Sequence, residues 1–290
     1  MSKATVTTFA KLNLVLKVFK PEVPGGLHPL CSVFQTISLS DQLLIAHTET
    51  SGLVLETDHP ALQDLSENLL SKIYTDFHTK IPFGLQVRLV KNIPIGGGLG
   101  GGSGNAAGFL AYLNHACGWG WSQAELIRQG MRYGSDVPFF FEGGTALVQG
   151  FGEKVSPWGP PYTGFFVLAN PGIHVATPGV FRAFDAAGLG GQVQDMSLFW
   201  GDALPLGEND LAEVVFQQYP VYQDLQRYLL PFGHHFFLSG SGATVFIPVA
   251  DEAAQMMLVA QLAEVLPDWW FAPVSAVDGP GYRIDAIYDR

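Results

Sequence analysis

The sequence predicts an α+β protein of two domains, and three observations carry that prediction. At 290 residues the chain suits two domains of about 150 each better than one. Strand and helix patterns are mixed in both halves, and the strands alternate as half-buried strands do, which favours α+β over a doubly wound parallel sheet. The segment SPWGPPYTG, 156–164, is dense in proline and glycine and is expected to divide the chain into residues 1–158 and 159–290.

The elements follow in order. In TFAKLNLVLKVF, 8–19, alternation predicts a strand with Ala10, Leu12, Leu14, Leu16 and Val18 on one face. Phe9, Lys11, Asn13, Val15 and Lys17 fall on the other face, so Lys11 and Asn13 lie side by side. A helix is expected over 66–77. GLQVRLVK, 84–91, alternates equally well, with Leu85, Val87 and Leu89 inward, and should end at Asn92-Ile93-Pro94 because proline cannot continue a central ladder. Beyond a run of glycines, Ala106, Phe109, Leu110 and Leu113 take helical spacing, with Ser103 or Asn105 available as cap. Ser122 and Glu125 form a capping-box pair that opens a further helix, expected to stop at Gly134.

In the second half GFFVLAN reads as a buried strand, followed by helical material. HHFFLSGSGATVFIPV reads as two apolar strands around a Ser-Gly-Ser-Gly turn, DEAAQMMLVAQLAEVL as a helix ended by Pro267, and WWFAPVSAV as a strand.

A net charge of −11 argues against a nucleic-acid surface or an anionic membrane as partner, so an anionic ligand must be held by local groups. Cys31 and Cys117 show no metal spacing and read as reduced, packed thiols. No apolar run reaches the ~18 residues of a membrane span, and the start MSKATVTTFA lacks the apolar length of a signal peptide. The first functional candidate stands at position 11, which leaves no room for a transit peptide, so a cytoplasmic protein is expected, as a monomer or weak dimer.

The stretch KNIPIGGGLGGGSGNAAGFL, 91–110, carries the strongest functional signal. A flexible surface loop fits poorly between a strong strand and a strong helix. Gly96, Gly98 and Gly101 satisfy the dinucleotide pattern G-x-G-x-x-G, but the acidic residue expected about 20 positions on is replaced by Trp121. A phosphate cradle remains, in which glycines let backbone N–H groups converge on an anion at a helix N-terminus. The Walker lysine is absent, so phosphate would bind in another fold.

IPIGGGLGGGSGNAAGFL resembles the Pro-x-x-x-Gly-Leu-Gly-Ser-Ser-Ala-like loop of the GHMP kinases. AKLNLVLKV with GGLHPLCSVFQTISLSD, then GSDVPFFFEGGTALVQGFGE, then LSGSGATVF match in the same order, so the resemblance spans most of the chain. It implies an N-terminal ATP-binding domain and a C-terminal ferredoxin-like α/β sandwich with the active site in the cleft between them. It implies ATP with Mg²⁺ as donor and a cytidine diphosphate-linked methylerythritol as small-molecule acceptor, phosphorylated at its 2-hydroxyl.

The residues follow the motifs. Asp136, in GSDVPFFF, would by itself be a turn or cap aspartate, and Lys11 a surface lysine; the resemblance makes Asp136 the catalytic base and Lys11 its cationic partner. ATP phosphates would meet Pro94, Gly96, Gly97, Gly98, Leu99, Gly100, Gly101, Gly102, Ser103 and Gly104, with Asn68 near the adenine. Asn13, Leu27, His28, Asp136, Thr177 and Phe181 would meet the acceptor, His28 at the cytosine edge and Phe181 on its face. Gly240 and Gly242 would bring backbone close to the site.

Two residues depart from the pattern. Leu27 stands where the family has a tyrosine that stacks on the base, and Gly104 where a second serine is usual. No carboxylate cluster marks a metal site, and His234-His235 would point to opposite faces of a strand. Another GHMP-type kinase of a different small alcohol, or a non-catalytic sensor of nucleotide and sugar-like ligand, are the rival readings; retention of both Lys11 and Asp136 counts against the sensor.

Overall fold

The computed structural model describes residues 3–23, 25–57, 59, 60, 62, 64–192 and 204–288. Its first half supplies six strands of a seven-stranded sheet backed by helices. The strands β1 (Lys3–Val18) and β2 (Leu30–Thr48) form a long antiparallel pair at its centre, and β3 (Leu53–Thr57) lies at one edge. After helix α1 (Leu69–Phe77) comes β4 (Gly84–Val90), with the expected inward Leu85, Val87 and Leu89. Helices α2 (Gly101–Ala116), α3 (Gln123–Gly130) and α4 (Phe139–Glu142) precede β5 (Thr145–Gly150) and β6 (Lys154–Pro157). Ser122 caps α3 through the Glu125 N–H as its sequence predicts, but the helix ends at Gly130, four residues before the expected Gly134.

The sheet divides because β2 is too long for one neighbour. Its Leu30–Gln35 half pairs with β5 and its Gln42–Thr48 half with β4, while β1 runs along its other side. Helix α2 lies close on β1, and a Cβ at Gly108 would come within 2.5 Å of Thr8 Cγ2. The core between sheet and helices joins Val6, Leu43, Ile45 and Val87 to Ile73, Phe109 and Leu110.

The second half is a four-stranded antiparallel sheet of β7 (Phe165–Asn170), β8 (Phe237–Leu238), β9 (Val245–Val249) and β10 (Trp270–Ser275), ordered β10-β7-β9-β8. Numbered within that sheet the order is 4-1-3-2, the ferredoxin-like arrangement. Alternation divides its faces. Phe166, Leu168 and Phe246 pack on Leu12, Leu14 and Ile37 of the first sheet, whereas Val167, Ala169, Val245 and Ile247 pack on its own helices, including α5 (Thr177–Ala186) and Glu252–Val265.

The segment 156–164 runs from the end of β6 to the start of β7, but the chain crosses back at its end: β11 (Tyr282–Tyr288) pairs with β1. Cys31 and Cys117 are thiols, and burial pushes Cys117 up to about 11. Among the described residues no helix is long and apolar enough to cross a membrane.

One local irregularity positions the site. The pairing of β1 with β2 steps from Asn13–Phe34 to Val15–Val33, so Leu14 is an extra residue on β1. A bulge of this kind reverses which face the following residues present. Simple alternation puts Leu16 and Val18 with Leu12 and Leu14; instead they line the same cavity as Lys11 and Asn13. The polar face of β1 thus becomes half polar and half apolar along the cleft.

Candidate active site

The bulged strand brings Lys11 to the floor of the cleft. Its side chain is only 3% exposed, and its Nζ lies 2.7 Å from Asn13 Oδ1, 3.3 Å from Asp136 Oδ2 and 4.7 Å from the Phe34 ring centroid. Asp136 reaches it from the loop before α4. Val137, Phe139 and Phe140 behind it are fully buried, which anchors the loop while leaving the carboxylate 30% exposed to the cavity. The apolar run that makes Asp136 conspicuous in sequence is therefore its mounting.

The glycine loop crosses directly above. Leu99 O accepts the Lys11 N–H at 2.9 Å, and α2 begins at Gly101 with Gly100 as N-cap at φ +69°. Neither Ser103 nor Asn105 caps the helix, contrary to expectation; no side chain does. The first-turn N–H groups, which have no intrahelical acceptors, therefore stay available for an anion beside the positive helix end.

Close packing by itself requires several of these glycines. A Cβ at Gly98 would lie 2.2 Å from Ser239 O, and one at Gly97 2.7 Å from Thr244 Oγ1. At Gly100 it would meet Phe140 Cζ at 2.9 Å and Lys11 Cγ at 3.0 Å. Gly104 is turned away from the cavities, where a Cβ would lie 2.8 Å from Phe9 O; the departure from serine is met by close packing of α2 on β1. Of this run, Gly102 has nothing within 4 Å.

The second glycine motif supplies that pressure. Thr244 N–H donates to Gly97 O at 3.1 Å, and Ser239 Oγ donates to Gly98 O at 3.1 Å and accepts the Asn13 N–H at 3.4 Å. Asn209 fixes the motif from below, its Nδ2 donating to Leu238 O and to Gly240 O at 2.9 and 2.8 Å. Gly240 and Gly242, both at positive φ, line the cavity with Lys11.

A buried polar cluster holds the other flank of the loop, and sequence reasoning missed it. Asp41, fully buried on β2, is paired with Lys91 at the end of β4. Its Oδ1 accepts the N–H groups of Asn92 and Ile93 at 2.8 and 2.9 Å, and its Oδ2 accepts from Asn105 Nδ2 at 3.0 Å. Asn105 also donates to Thr8 Oγ1 at 2.7 Å, so one carboxylate ties β2, β4, the loop entry and α2 together. Lys91, next to the glycines, was the one sequence hint; nothing local marks Asp41.

Three cavities run along the cleft. One of about 370 Å³ holds Asn68, Lys91, Pro94 and Ser103 on one side of the loop. One of about 410 Å³ on the other side holds Lys11, Asn13, Asp136, His28, Thr177 and Phe181. Gly96, Gly98 and Gly100 wall both. Asn68 spends its Oδ1 as the N-cap of α1, accepting the Leu70 N–H at 3.0 Å.

A third cavity, of about 460 Å³, continues past His28 and Phe181 and contains Leu27, which the middle cavity does not. His28 Nε2 lies 2.8 Å from Asp185 Oδ1, with its ring 4.9 Å from that of Phe181. Thr177 Oγ1 is 2.8 Å from Ser241 Oγ, which links α5 to the second glycine motif. Among the described residues no group of three metal-ligating side chains comes together.

Comparison with known proteins agrees with this geometry. Residues 68–144 match the model of the GHMP kinases N terminal domain, and residues 194–268 that of the GHMP kinases C terminal. The chain is 33% identical to a 4-diphosphocytidyl-2-C-methyl-D-erythritol kinase of Pelobacter propionicus over 95% of this chain and 99% of that one. A protein of the same name from a Janthinobacterium species is 35% identical over 90% of each chain. A crystal structure of 4-(cytidine 5'-diphospho)-2C-methyl-D-erythritol kinase superposes with a TM-score of 0.74 at 28% identity, covering 93% of this chain and 98% of that one. The homoserine kinase of Cytophaga hutchinsonii, at 16% identity and a TM-score of 0.70, shares the fold.

Proposed function

This chain belongs to the 4-diphosphocytidyl-2-C-methyl-D-erythritol kinase family of the GHMP kinases, and from that premise we propose that it transfers the γ-phosphoryl group of ATP to the 2-hydroxyl of 4-diphosphocytidyl-2-C-methyl-D-erythritol. The product is the 2-phosphate with ADP, a step of the methylerythritol phosphate route to isoprenoid precursors. The observation that carries the reading is the contact of Lys11 Nζ with Asp136 Oδ2 at 3.3 Å, beside a glycine loop that walls two cavities.

Phosphoryl transfer asks for positioning and charge neutralisation more than for covalent chemistry by the protein. The nucleotide lies on the Asn68 side, its phosphates on Pro94 and the 96–104 loop, with the first-turn N–H groups of α2 facing them. The acceptor lies on the Lys11 side. Asp136 takes the hydroxyl proton as that oxygen bonds to the γ-phosphorus and the bond from phosphorus to the ADP oxygen breaks. Lys11 balances the charge on Asp136 and on the transferring group, and Asn13 orients Lys11 through their hydrogen bond of 2.7 Å.

Mg²⁺ fits as an ion that arrives on the phosphates: the Ser103 hydroxyl and the Asp136 carboxylate are the oxygens that would face it, and its contribution would be charge neutralisation. His28, Thr177 and Phe181 hold the cytidine end, with Leu27 at its rim. Residues 1–158 serve as the ATP-binding domain and 159–290 as the substrate-side domain, with β11 returning to the first sheet. The protein is read as a monomer or weak dimer working in the cytoplasm.

The test is an assay of purified protein with Mg-ATP and the cytidylyl substrate, read by phosphorus NMR. A new phosphomonoester with ADP is expected. Product with another alcohol and none with this one would overturn the acceptor, and none with any would favour a sensor.

A further inference from the structure

We propose that Phe151 is a specificity-determining residue that supplies the aromatic wall for the nucleobase which Leu27 cannot. The inference rests on the acceptor reading above for the identity of the base.

Phe151 is 40% exposed, and a large apolar side chain left in water at a cavity mouth gains by being covered. It shares its cavity with Leu27, which is 77% exposed, and with His28 and Phe181. The sheet register explains why these segments meet. Leu30, at the start of β2, is paired with Gly150, at the end of β5, so the residues just before the one and just after the other leave the sheet at the same point.

The turn that carries Phe151 is tied down by local contacts. Its N–H donates to Glu153 Oε2 at 2.7 Å, and Gly150 and Gly152 on either side have φ of +72° and +105°. A Cβ at Gly152 would lie 2.0 Å from Ser135 O, so the turn is pressed against the residue that precedes Asp136. Phe151 is thereby held in fixed relation to the catalytic loop. A ring with two rotatable bonds on such a mount loses little freedom when a planar heterocycle stacks on it. Phe181, with His28 against it at 4.9 Å, lines the same cavity and would offer a second aromatic wall.

The experiment compares wild type with Phe151→Ala, Phe151→Leu, Phe151→Tyr and the double variant Phe151→Ala with Leu27→Tyr. Two readouts are taken: steady-state kinetics with the cytidylyl substrate and calorimetric binding of CMP. Phe151→Ala should raise KM for the cytidylyl substrate and Kd for CMP roughly 5- to 50-fold, with KM for ATP and kcat within twofold. Phe151→Leu should lose most of the same affinity, Phe151→Tyr should keep it, and Leu27→Tyr should restore much of it to the alanine variant.

Unchanged CMP affinity in Phe151→Ala would overturn the inference. So would a fall in kcat and a rise in both KM values together, which would make the residue a prop of the Asp136 loop. If the alanine variant fails to fold, the contrast between leucine and tyrosine decides. If wild type binds CMP through Phe151 yet does not phosphorylate the cytidylyl substrate, the acceptor reading fails and the inference stands.

Discussion

The two ends of the cleft are built differently. At the Lys11–Lys91 end the charged groups are mostly buried: Lys11 is 3% exposed, Lys91 4% and Asp41 fully buried, with Asp136 open to the cavity at 30%, and Asp41 accepts two backbone N–H groups beyond its ion pair. At the Leu27 end the groups are more open: the His28 side chain is 9% exposed, but its partner Asp185 is 46% exposed and Leu27 77%. Transfer requires atoms fixed to within fractions of an ångström, whereas recognition of a base can be met by more than one arrangement of apolar walls. Substitutions at the first end should therefore alter turnover or folding, and those at the second should alter acceptor affinity alone.

The strongest way to break this contrast is at Asp136. Asp136→Asn keeps the shape and removes the proton acceptor, so kcat should fall about 10²- to 10⁴-fold while KM for ATP changes little. Lys11→Ala should lower kcat by about 10²-fold or more. Unchanged turnover in a correctly folded Asp136→Asn, read by coupled ADP release, would remove the carboxylate from the mechanism.

Asp41 tests whether the buried scaffold matters apart from the reacting groups. Asp41→Asn leaves the Lys91 ammonium buried without its counter-charge and should cost about 3–5 kcal/mol of stability in urea unfolding. The loop entry at Asn92 and Ile93 would lose its acceptor, so KM for ATP should rise in whatever protein remains folded. A stability loss below about 1 kcal/mol, the range of exposed pairs, would show the two ends to be alike.

At the Leu27 end the effect should be smaller and opposite in sign. Leu27→Tyr adds an aromatic face at the cavity rim, worth about 0.5–1.5 kcal/mol for a stacked pair, and should lower KM for the cytidylyl substrate roughly 2- to 10-fold without raising kcat. A change in kcat instead would mean that this end is coupled to the chemistry.

The same contrast governs how much could be read from sequence. The strand β4, the cap of α3 and the strand-glycine-helix order are local patterns, and they were legible because hydrophobic period and turn chemistry act over a few residues. The bulge at Leu14 was not, since it arises from pairing with Phe34 and Val33 across the hairpin, and it moved Leu16 and Val18 to the cleft. Asp41 becomes important only when β2 meets the end of β4, a separation of 50 residues from Lys91. The glycines read in sequence as a candidate anion loop, but their close packing against Ser239 and Thr244 depends on the second sheet. Sequence reading leaves 281–288 without an element, although β11 completes the first sheet.

The smallest effect belongs to a partly exposed clasp at the end of β1, and it tests the contrast by pH. Lys17 Nζ lies 2.9 Å from Glu208 Oε2 and 3.1 Å from Asp210 Oδ1, joining β1 to the segment that enters the helix Ala212–Gln218. Burial alone would lower the lysine, but hydrogen bonds and attraction from the two carboxylates outweigh it and hold its pKa above the ordinary 10.5. A cation with a raised folded pKa contributes stability that is fully present below the unfolded value and is lost as pH rises through the folded one. Lys17→Met should therefore cost about 0.5–1 kcal/mol near neutral pH. The gap between wild type and variant should stay constant up to about pH 10 and close above 10.5, since other alkaline titrations are common to both and cancel. A gap of several kcal/mol at neutral pH would put this clasp in the class of the Asp41–Lys91 pair, and a gap that persisted unchanged well above 10.5 would mean that Lys17 acts by packing its aliphatic stem and not by its charge.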